Sequence, residues 1–310
     1  MKKYFPLICS LVSAVIFGFS MLFIKTGMKV VNYDTVKFLA FRFTLGFICL
    51  QLLVMFKVQK VDYKNKPMWL IFFCGILNPL MSQILETTST TYAPTSQIAV
   101  MTATVPIFVT LLSAAINKDR PTKKQVFFMC LAVFGVVIIN LIGGQMVGGT
   151  KLGLILILGT IAVLSFQRTF IRKASAYFTA FESIYIPTAM GAIGFTSATV
   201  INHTVKGELS TFFDGLATPE FVIPILYMGI FSCVIAFLCM TYASGHLPIA
   251  VSSATGTFST VITLLVGVFI LGEELKPIDI VGIIIILIGI VGVSLSYDKN
   301  DEKGNQLAKN

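Results

Sequence analysis

The sequence contains few charged residues. Asp, Glu, Lys and Arg together make up 12% of the 310 residues, whereas hydrophobic residues make up 56%. A water-soluble domain carries about twice this share of charge, because its surface has to be solvated. The mean hydropathy of +0.89 agrees with this composition. The composition therefore excludes an ordinary soluble protein and predicts a membrane protein with several spans.

Residues that carry chemistry are also scarce. The two histidines, His203 and His246, lie at or near the ends of apolar runs, and no HExxH motif occurs. The six cysteines lie inside apolar runs without a CxxC pattern, which is typical of small buried hydrophobic side chains. Catalysis in the membrane would need a constellation of histidines, carboxylates or metal ligands. The sequence therefore predicts no catalytic residue, no metal site, no cofactor and no enzyme.

The net charge of +9 does not indicate a nucleic-acid partner. The basic residues lie in short clusters between apolar runs, and no continuous basic face is formed. Each apolar run has the length of a membrane-crossing helix, and the runs lack the alternation of barrel strands. The sequence therefore predicts an all-α membrane protein with ten transmembrane helices. The predicted helices cover residues 5–28, 35–56, 67–91, 94–116, 123–141, 152–172, 177–201, 219–243, 248–271 and 277–297.

One stretch of the chain occurs twice. Residues 93–140 resemble residues 247–294 at an offset of 154 positions, which aligns Pro94 with Pro248 and Gly135 with Gly289. A repeat at a fixed offset indicates a duplicated unit. We therefore expect a first repeat of five helices in residues 1–146, a second in residues 147–298, and a disordered cytoplasmic tail in residues 299–310.

The distribution of Lys and Arg predicts the orientation. Segments on the side of the N-terminus hold fifteen of these residues and the opposite segments hold five, which places both termini in the cytoplasm. Because each repeat has an odd number of helices, the second repeat crosses the membrane in the opposite direction. The turn at residues 118–120 is basic, whereas its counterpart at Glu273 and Glu274 is acidic. Inverted repeats of this kind are typical of carriers that work by alternating access.

Short motifs recur along the chain in a fixed order. They are Phe17-Gly18-Phe19-Ser20, Phe41-Arg42-Phe43, Ser96 through Pro106 to Asp119-Arg120 with Gly135, and Ala250 through Thr260 to Gly272-Glu273-Glu274 with Gly289. In this order and spacing, the motifs resemble a known family, the drug/metabolite transporter superfamily in its ten-helix EamA branch. The resemblance covers residues 5–297. It departs from the family pattern at Phe17, where a Trp is usual, and at Thr260, where a second Pro is usual. The resemblance implies a secondary transporter of small metabolites, often an exporter.

Polar residues within the spans are candidates for a substrate site, because charge at bilayer depth is expensive. Arg42 lies in the second predicted helix, and Glu86 lies near the outer end of the third, on one face with Asn78 and Gln83. Gln97 begins the fourth helix from the same side. We expect Arg42, Glu86 and Gln97 to meet in the outer third of a cavity. Arg42 and Glu86 then contact substrate or relay a proton; alternatively, they form a structural ion pair that holds two helices together, or Glu86 reaches interfacial water.

A second polar set lies toward the inner face. Gln167 and Arg168 are near the inner end of the sixth predicted helix, and Glu182 is near the start of the seventh. Together with Arg42 and Glu86 they are candidates for gates or for ion coupling; alternatively, Arg168 and Glu182 extend to the interface. Further candidates for substrate contact lie near the midplane, where helix packing is the alternative explanation. They are Phe17, Ser20, Asn78, Met101, Ser253 and Thr257.

A carrier is the predicted function. One Arg and one Glu in a polar pocket suit a zwitterionic or neutral solute such as an amino acid, and the family resemblance favours export. Sugar-phosphate carriers of the superfamily that the chain resembles use Lys or Arg in the ninth helix. The corresponding span here, at residues 248–271, contains neither, so the resemblance disfavours phosphorylated substrates. A flippase for a lipid-linked precursor, or an accessory membrane subunit, is the alternative. The expected partners are the lipid bilayer of the plasma membrane, a small-molecule substrate and protons as candidate coupling ions, with the chain as a monomer or homodimer.

Overall fold

The fold is built from helices, and the described part of the chain contains no strand. The computed structural model describes residues 4–105, 107–109, 111–112, 122–138, 149–207, 212–246 and 249–295. The helices up to residue 137 are α1 (Phe5–Val30), α2 (Thr35–Met55), α3 (Met68–Gly75), a π-helical segment π1 (Ile76–Met81), α4 (Ser82–Tyr92), α5 (Thr95–Thr102) and α6 (Lys123–Val137). The remaining helices are α7 (Lys151–Ala174), α8 (Ala180–Lys206), α9 (Pro219–Leu226), a π-helical segment π2 (Tyr227–Ala236), α10 (Phe237–His246), α11 (Ile249–Phe269) and α12 (Pro277–Leu295).

Six helical segments among the described residues are long and apolar enough to cross a membrane, by length and composition. They are Phe5–Val30, Thr35–Met55, Met68–Tyr92, Lys151–Ile171, Ala180–Lys206 and Pro219–Ala243. Each coincides with one of the predicted runs. The remaining apolar helices are shorter in the described part, so the count of ten helices stays a prediction.

The outside of the bundle is apolar. Large hydrophobic side chains such as Ile193, Val205 and Phe269 are exposed, the last two by 83% and 80%. In water, so many exposed hydrophobic side chains would cause aggregation, whereas lipid solvates them. The buried core lies between the helices and includes Phe38 and Phe221, which pack edge to face. The distribution of apolar surface therefore agrees with an all-helical membrane protein.

Helices that are distant in sequence pack against each other. Helix α2 packs along α8, α1 along α11, and α6 along α12. Small residues allow the close approach: a Cβ added at Gly289 of α12 would lie 2.7 Å from the backbone N of Ala132 in α6. Thr122 and Gln125 form a capping box at the start of α6.

The third span is interrupted in its middle. Asn78 in π1 has an extended backbone, with φ −144° and ψ 114°, and Pro79 follows it. A proline cannot donate the backbone hydrogen bond of a regular helix, so the axis bends there. Gly191 of α8 makes room for the bend, because a Cβ at this position would lie 2.7 Å from Cγ of Pro79. The break sets the direction in which α4 presents its polar face.

We predict that Gly289→Ala lowers the melting temperature in detergent, because its new methyl group would overlap the backbone of Ala132. The matched control is Gly159→Ala in α7, whose nearest contact would be the flexible Leu85 side chain at 3.3 Å. Alanine favours a helix over glycine by about 1 kcal/mol, so the control is expected to keep or raise the melting temperature. Equal effects of the two substitutions would contradict the packing of α6 against α12.

Candidate functional site

The guanidinium of Arg42 is the centre of a buried polar cluster. Its Nη1 donates to Oε1 of Gln83 at 2.6 Å, its Nη2 donates to Oγ of Ser232 at 3.4 Å, and its Nε donates to Sγ of Cys233 at 3.3 Å. These contacts join α2, α4 and π2. The Arg42 side chain is 2% exposed, so the protein itself solvates this charge.

The cluster continues to Glu86 and to Ser20. Nε2 of Gln83 donates to Oε2 of Glu86 at 3.3 Å, and Oγ of Ser20 lies 3.4 Å from Oγ of Ser232. Four residues predicted from the sequence, Ser20, Arg42, Gln83 and Glu86, therefore belong to one network. Gln83 stands between Arg42 and Glu86, so the two charges interact electrostatically through a bridging amide.

One face of α4 is polar and points into the bundle. Ser82, Gln83 and Thr87 are buried on this face, whereas Ile84 on the opposite side is exposed. The hydroxyls of Ser82 and Thr87 have no hydrogen-bond partner among the described residues. Buried hydroxyls normally find a partner, which can be water or a ligand. The face around Glu86 therefore provides polar groups that a bound solute can use.

Arg168 of α7 faces the same region. It lies two turns after Ile161 and therefore on the buried stripe of the helix, yet its side chain is exposed. Its accessible surface accordingly faces the interior of the bundle, because the lipid-facing side of α7 is the one that carries Ile155 and Leu158. The sequence expectation grouped Arg168 with Glu182; the structure instead shows an electrostatic interaction between Arg168 and Glu86.

The geometry of the two helices explains why these side chains converge. Helices α4 and α7 are antiparallel: the Cβ position of Gly153 contacts the backbone of Tyr92, and that of Gly159 contacts Leu85. Helical side chains point toward the N-terminus of their own helix. Glu86 and Arg168 therefore extend toward each other from opposite ends of the pair.

Glu182 lies at one end of the bundle, at the start of α8. Its carboxylate accepts hydrogen bonds from Nζ of Lys66 at 2.6 Å, from the amide of Asp62 at 2.8 Å and from the amide of Thr179 at 2.9 Å. Thr179 and Glu182 form a capping box at the start of α8. The ion pair fixes the loop between α2 and α3 onto α8, and Glu182 is buried by these contacts rather than extended to the interface.

Glu273 lies at the opposite end, where it follows α11 and meets the start of α5. Its carboxylate accepts from Nζ of Lys25 at 2.7 Å and from the amides of Thr95 at 2.6 Å and Ser96 at 2.8 Å. These two amides begin α5, where the helix dipole favours a negative charge. A Cβ at Gly267 would lie 2.8 Å from the carboxylate, so glycine is needed there. We call the contacts of Glu273 with Lys25, Thr95 and Ser96 the Glu273 latch.

The latch holds Glu273 in its charged form. Burial alone raises the pKa of this carboxyl, but the Lys25 ammonium and the hydrogen bonds from Ser96 and Thr95 outweigh burial. The pKa of Glu273 therefore lies below its ordinary value.

The other candidate residues are placed as follows. Phe17 meets Phe237 edge to face with 5.2 Å between ring centroids, and Asn78 lies at the break of the third span. Gln97 and Met101 are buried on α5, and Gln167 is buried on α7. The side chains of Ser253 and Thr257 lie outside the described residues.

Several residues of these clusters escaped the sequence reasoning. Ser232 and Cys233 lie in an apolar run that has no distinguishing pattern. The sequence predicted only a small buried hydrophobic side chain at Cys233, whereas its Sγ accepts a hydrogen bond from Nε of Arg42. The pattern Thr-x-x-Glu at residues 179–182 was a readable signal of the second capping box. The pairing of Lys25 with Glu273 had no local signal.

The comparison with protein families decides the class of the protein. The model of the EamA-like transporter family matches residues 5–141 and, separately, residues 151–295. The chain belongs to the EamA-like transporter family. Members of the EamA-like family are transporters and not enzymes, so the polar cluster lies inside a membrane transporter.

Related chains agree with this membership. An uncharacterized transporter of Bacillus subtilis strain 168, YcxC, is 28% identical over 303 residues, covering 97% of this chain and 96% of YcxC. An uncharacterized transporter of Clostridium kluyveri is 25% identical over 257 residues, covering 82% of this chain and 79% of the relative. A protein crystal structure matches with a TM-score of 0.58 at 12% identity, covering 91% of this chain and 98% of the other, and so shares the fold.

We predict that Arg42→Ala destabilises this EamA protein by roughly 2–3 kcal/mol, the cost of losing buried hydrogen bonds to a charged group. Arg168→Ala is the matched control, and it should lower the melting temperature less because the side chain of Arg168 is exposed. Thermal unfolding in detergent measures both. A larger loss for Arg168→Ala would show that Arg42 does not hold α2, α4 and π2 together.

We predict a pH-dependent effect of Glu273→Gln. Because the folded-state pKa of Glu273 is lowered, its charge stabilises the fold at and above the ordinary carboxyl pKa, and this contribution is lost as the pH falls through the lowered pKa. The variant should melt below the wild type at neutral pH, with a difference that shrinks below about pH 4. The neighbouring exposed Glu274→Gln is the control and should show no such difference. A constant gap at every pH would rule out the charged latch.

Proposed function

We propose that this EamA-family protein is a secondary carrier that moves a small zwitterionic or neutral metabolite, such as an amino acid, by alternating access. The observation that carries the proposal is the network of Arg42, Gln83 and Glu86 inside an apolar bundle. Intramembrane charges are rare and costly, and they mark substrate or ion pathways in membrane proteins.

The chemistry of the cluster suits a solute with two charges. Glu86 and Arg168 place a carboxylate and a guanidinium in one region, and Gln83 and the buried hydroxyls of Ser82 and Thr87 add neutral polar groups. A zwitterion can pair with both charges at once, so its own desolvation is offset on entry. Glu86 is also the candidate site for a coupling proton, because it is the carboxylate of this cluster.

The two closed ends support an alternating mechanism. We infer that residues 1–146 and 147–298 are inverted repeats and that the bundle opens at one end at a time. Glu273 of the second repeat binds Lys25, Thr95 and Ser96 of the first, and Glu182 binds Lys66 across the same division. Each ion pair must break when its end opens.

The Lys and Arg bias supports one orientation of the chain in the membrane. We propose that the Glu273 end faces outward, that both termini are cytoplasmic, and that the chain lies in the plasma membrane. Export is the direction that the family resemblance favours. Under this arrangement, the Glu273 latch is the outer closure and Lys66 with Glu182 is the inner one.

We predict that the purified protein in proteoliposomes catalyses counterflow of an amino acid, and that Glu86→Gln lowers the rate at least about tenfold, the scale of one lost charged interaction. Glu86 retains partial exposure and faces Arg168, so the variant should fold normally. The exposed Glu220→Gln at the start of α9 is the matched control and should transport like the wild type.

The test covers the standard amino acids, simple sugars, nucleosides and organic cations. Counterflow of a sugar or a nucleoside that is unaffected by Glu86→Gln would reject this site. Movement of a lipid-linked precursor between leaflets, without counterflow of any soluble solute, would replace the carrier by a flippase.

A further inference from the structure

We propose that Arg168 is the residue that binds the carboxylate of the substrate. Arg42 does not contact the substrate and instead positions the Gln83 side chain by a hydrogen bond. The substrates are then amino acids with a free carboxylate, whose ammonium group is bound by Glu86. This inference rests on the proposed carrier function and assigns the substrate groups within that same site.

Arg42 is enclosed by its own partners. Its Nη1, Nη2 and Nε each donate to a protein acceptor, and the side chain is 2% exposed. Three of its five N–H groups are thereby used, and at this low exposure a ligand could reach the guanidinium only if neighbouring side chains moved away. Arg42 therefore fixes the position of the Gln83 amide, and Gln83 in turn donates to Glu86.

Arg168, unlike Arg42, is accessible to a ligand. Its side chain is accessible although it lies on the buried stripe of α7, and its electrostatic partner among the described residues is Glu86. A guanidinium presents a planar fork of N–H donors that matches a carboxylate with two parallel hydrogen bonds. An accessible Arg inside a membrane bundle is therefore well suited to capture a carboxylate from a water-filled cavity.

The charge of the cluster favours an anionic group as well. Arg42 and Arg168 together with Glu86 leave one positive charge in excess among the described residues of this cluster. A cation would meet this excess and be repelled, whereas a carboxylate compensates it. Because Glu86 lies within electrostatic reach of Arg168, a solute that places its carboxylate on Arg168 brings its ammonium toward Glu86.

The site should therefore discriminate strongly against solutes without a carboxylate. A methyl ester keeps the ammonium group and the side chain of an amino acid but removes the negative charge. It would leave the guanidinium of Arg168 without its ion partner, and losing one charge-assisted interaction corresponds to roughly a ten- to hundredfold loss of affinity.

The experiment uses the purified full chain and measures the dissociation constant for each standard L-amino acid and for its methyl ester. The same measurements are repeated on Arg168→Gln, on Arg168→Lys and on the control Lys173→Gln, which alters an exposed residue of the same helix. Counterflow in proteoliposomes is recorded in parallel. The melting temperature without ligand verifies that each variant is folded.

We expect the wild type to bind one or more amino acids and to bind their methyl esters at least tenfold more weakly. Arg168→Gln should raise the dissociation constant for the amino acids ten- to hundredfold, Arg168→Lys should raise it less, and Lys173→Gln should leave it unchanged. If Arg168→Gln does not fold, the loss of amino-acid affinity in Arg168→Lys tests the assignment of Arg168 instead.

Two results would overturn the assignment of Arg168 and leave the carrier intact. One is counterflow with unchanged affinity in the Arg168 variants, and the other is equal binding of esters and free amino acids. If the folded wild type neither binds nor transports any amino acid, the proposed function fails and this inference fails with it.

Discussion

The burial of the Arg42 charge inside an apolar bundle is the constraint on which the rest of the site depends. A charged residue at the centre of a transmembrane helix costs about 2.5–3.5 kcal/mol on insertion scales. Hydrogen bonds to a charged group contribute about 1.5–3 kcal/mol each, so the acceptors that three nitrogens of Arg42 reach on α4 and π2 can together offset this cost. The position of π2 and the direction of the polar face of α4 are therefore coupled to one side chain.

The carboxylates of Glu182 and Glu273, at the two ends of the bundle, form contacts that can break and re-form. Under the proposed alternating mechanism, each end has to close firmly and yet release, which favours contacts that water can replace. Glu273 and Glu182 both combine one ion pair with backbone amides, and in each case a lysine with partial exposure supplies the charge. A hydrophobic seal would be harder to open, because exposing apolar surface to water costs free energy in proportion to its area. The guanidinium of Arg42, in contrast, is shielded from this exchange.

Much of the fold was predictable because the membrane restricts the possible structures. Apolar length located six of the spans to within about five residues, and the capping box of Thr122 with Gln125 has the residue pattern typical of such boxes. The proximity of Arg42, Gln83 and Glu86 followed from helical spacing and the order of the helices. The membership of the EamA family agrees with the resemblance seen in the sequence motifs.

The remainder depends on contacts that no local pattern encodes. The Glu273 carboxylate and the Thr95 amide are 178 positions apart, and only the packing of the folded chain brings them together. Arg168 was expected beside Glu182 because depth along a helix was estimated from residue count alone. Its long side chain extends toward the N-terminus of α7, which shifts the charge toward Glu86. The break at Asn78 further changes the direction of α4 in a way that a regular helix would not predict.

Distances between spin labels at the two ends test the central claim most directly. One pair of labels, at Lys29 and Glu274, reports on the Glu273 end, and the other, at Lys64 and Lys173, reports on the Glu182 end; all four positions are exposed. A saturating transported amino acid should change the two distances in opposite directions, because one end closes as the other opens. Fixed distances at both ends, or simultaneous opening of both, would contradict a carrier that alternates around the Arg42 cluster.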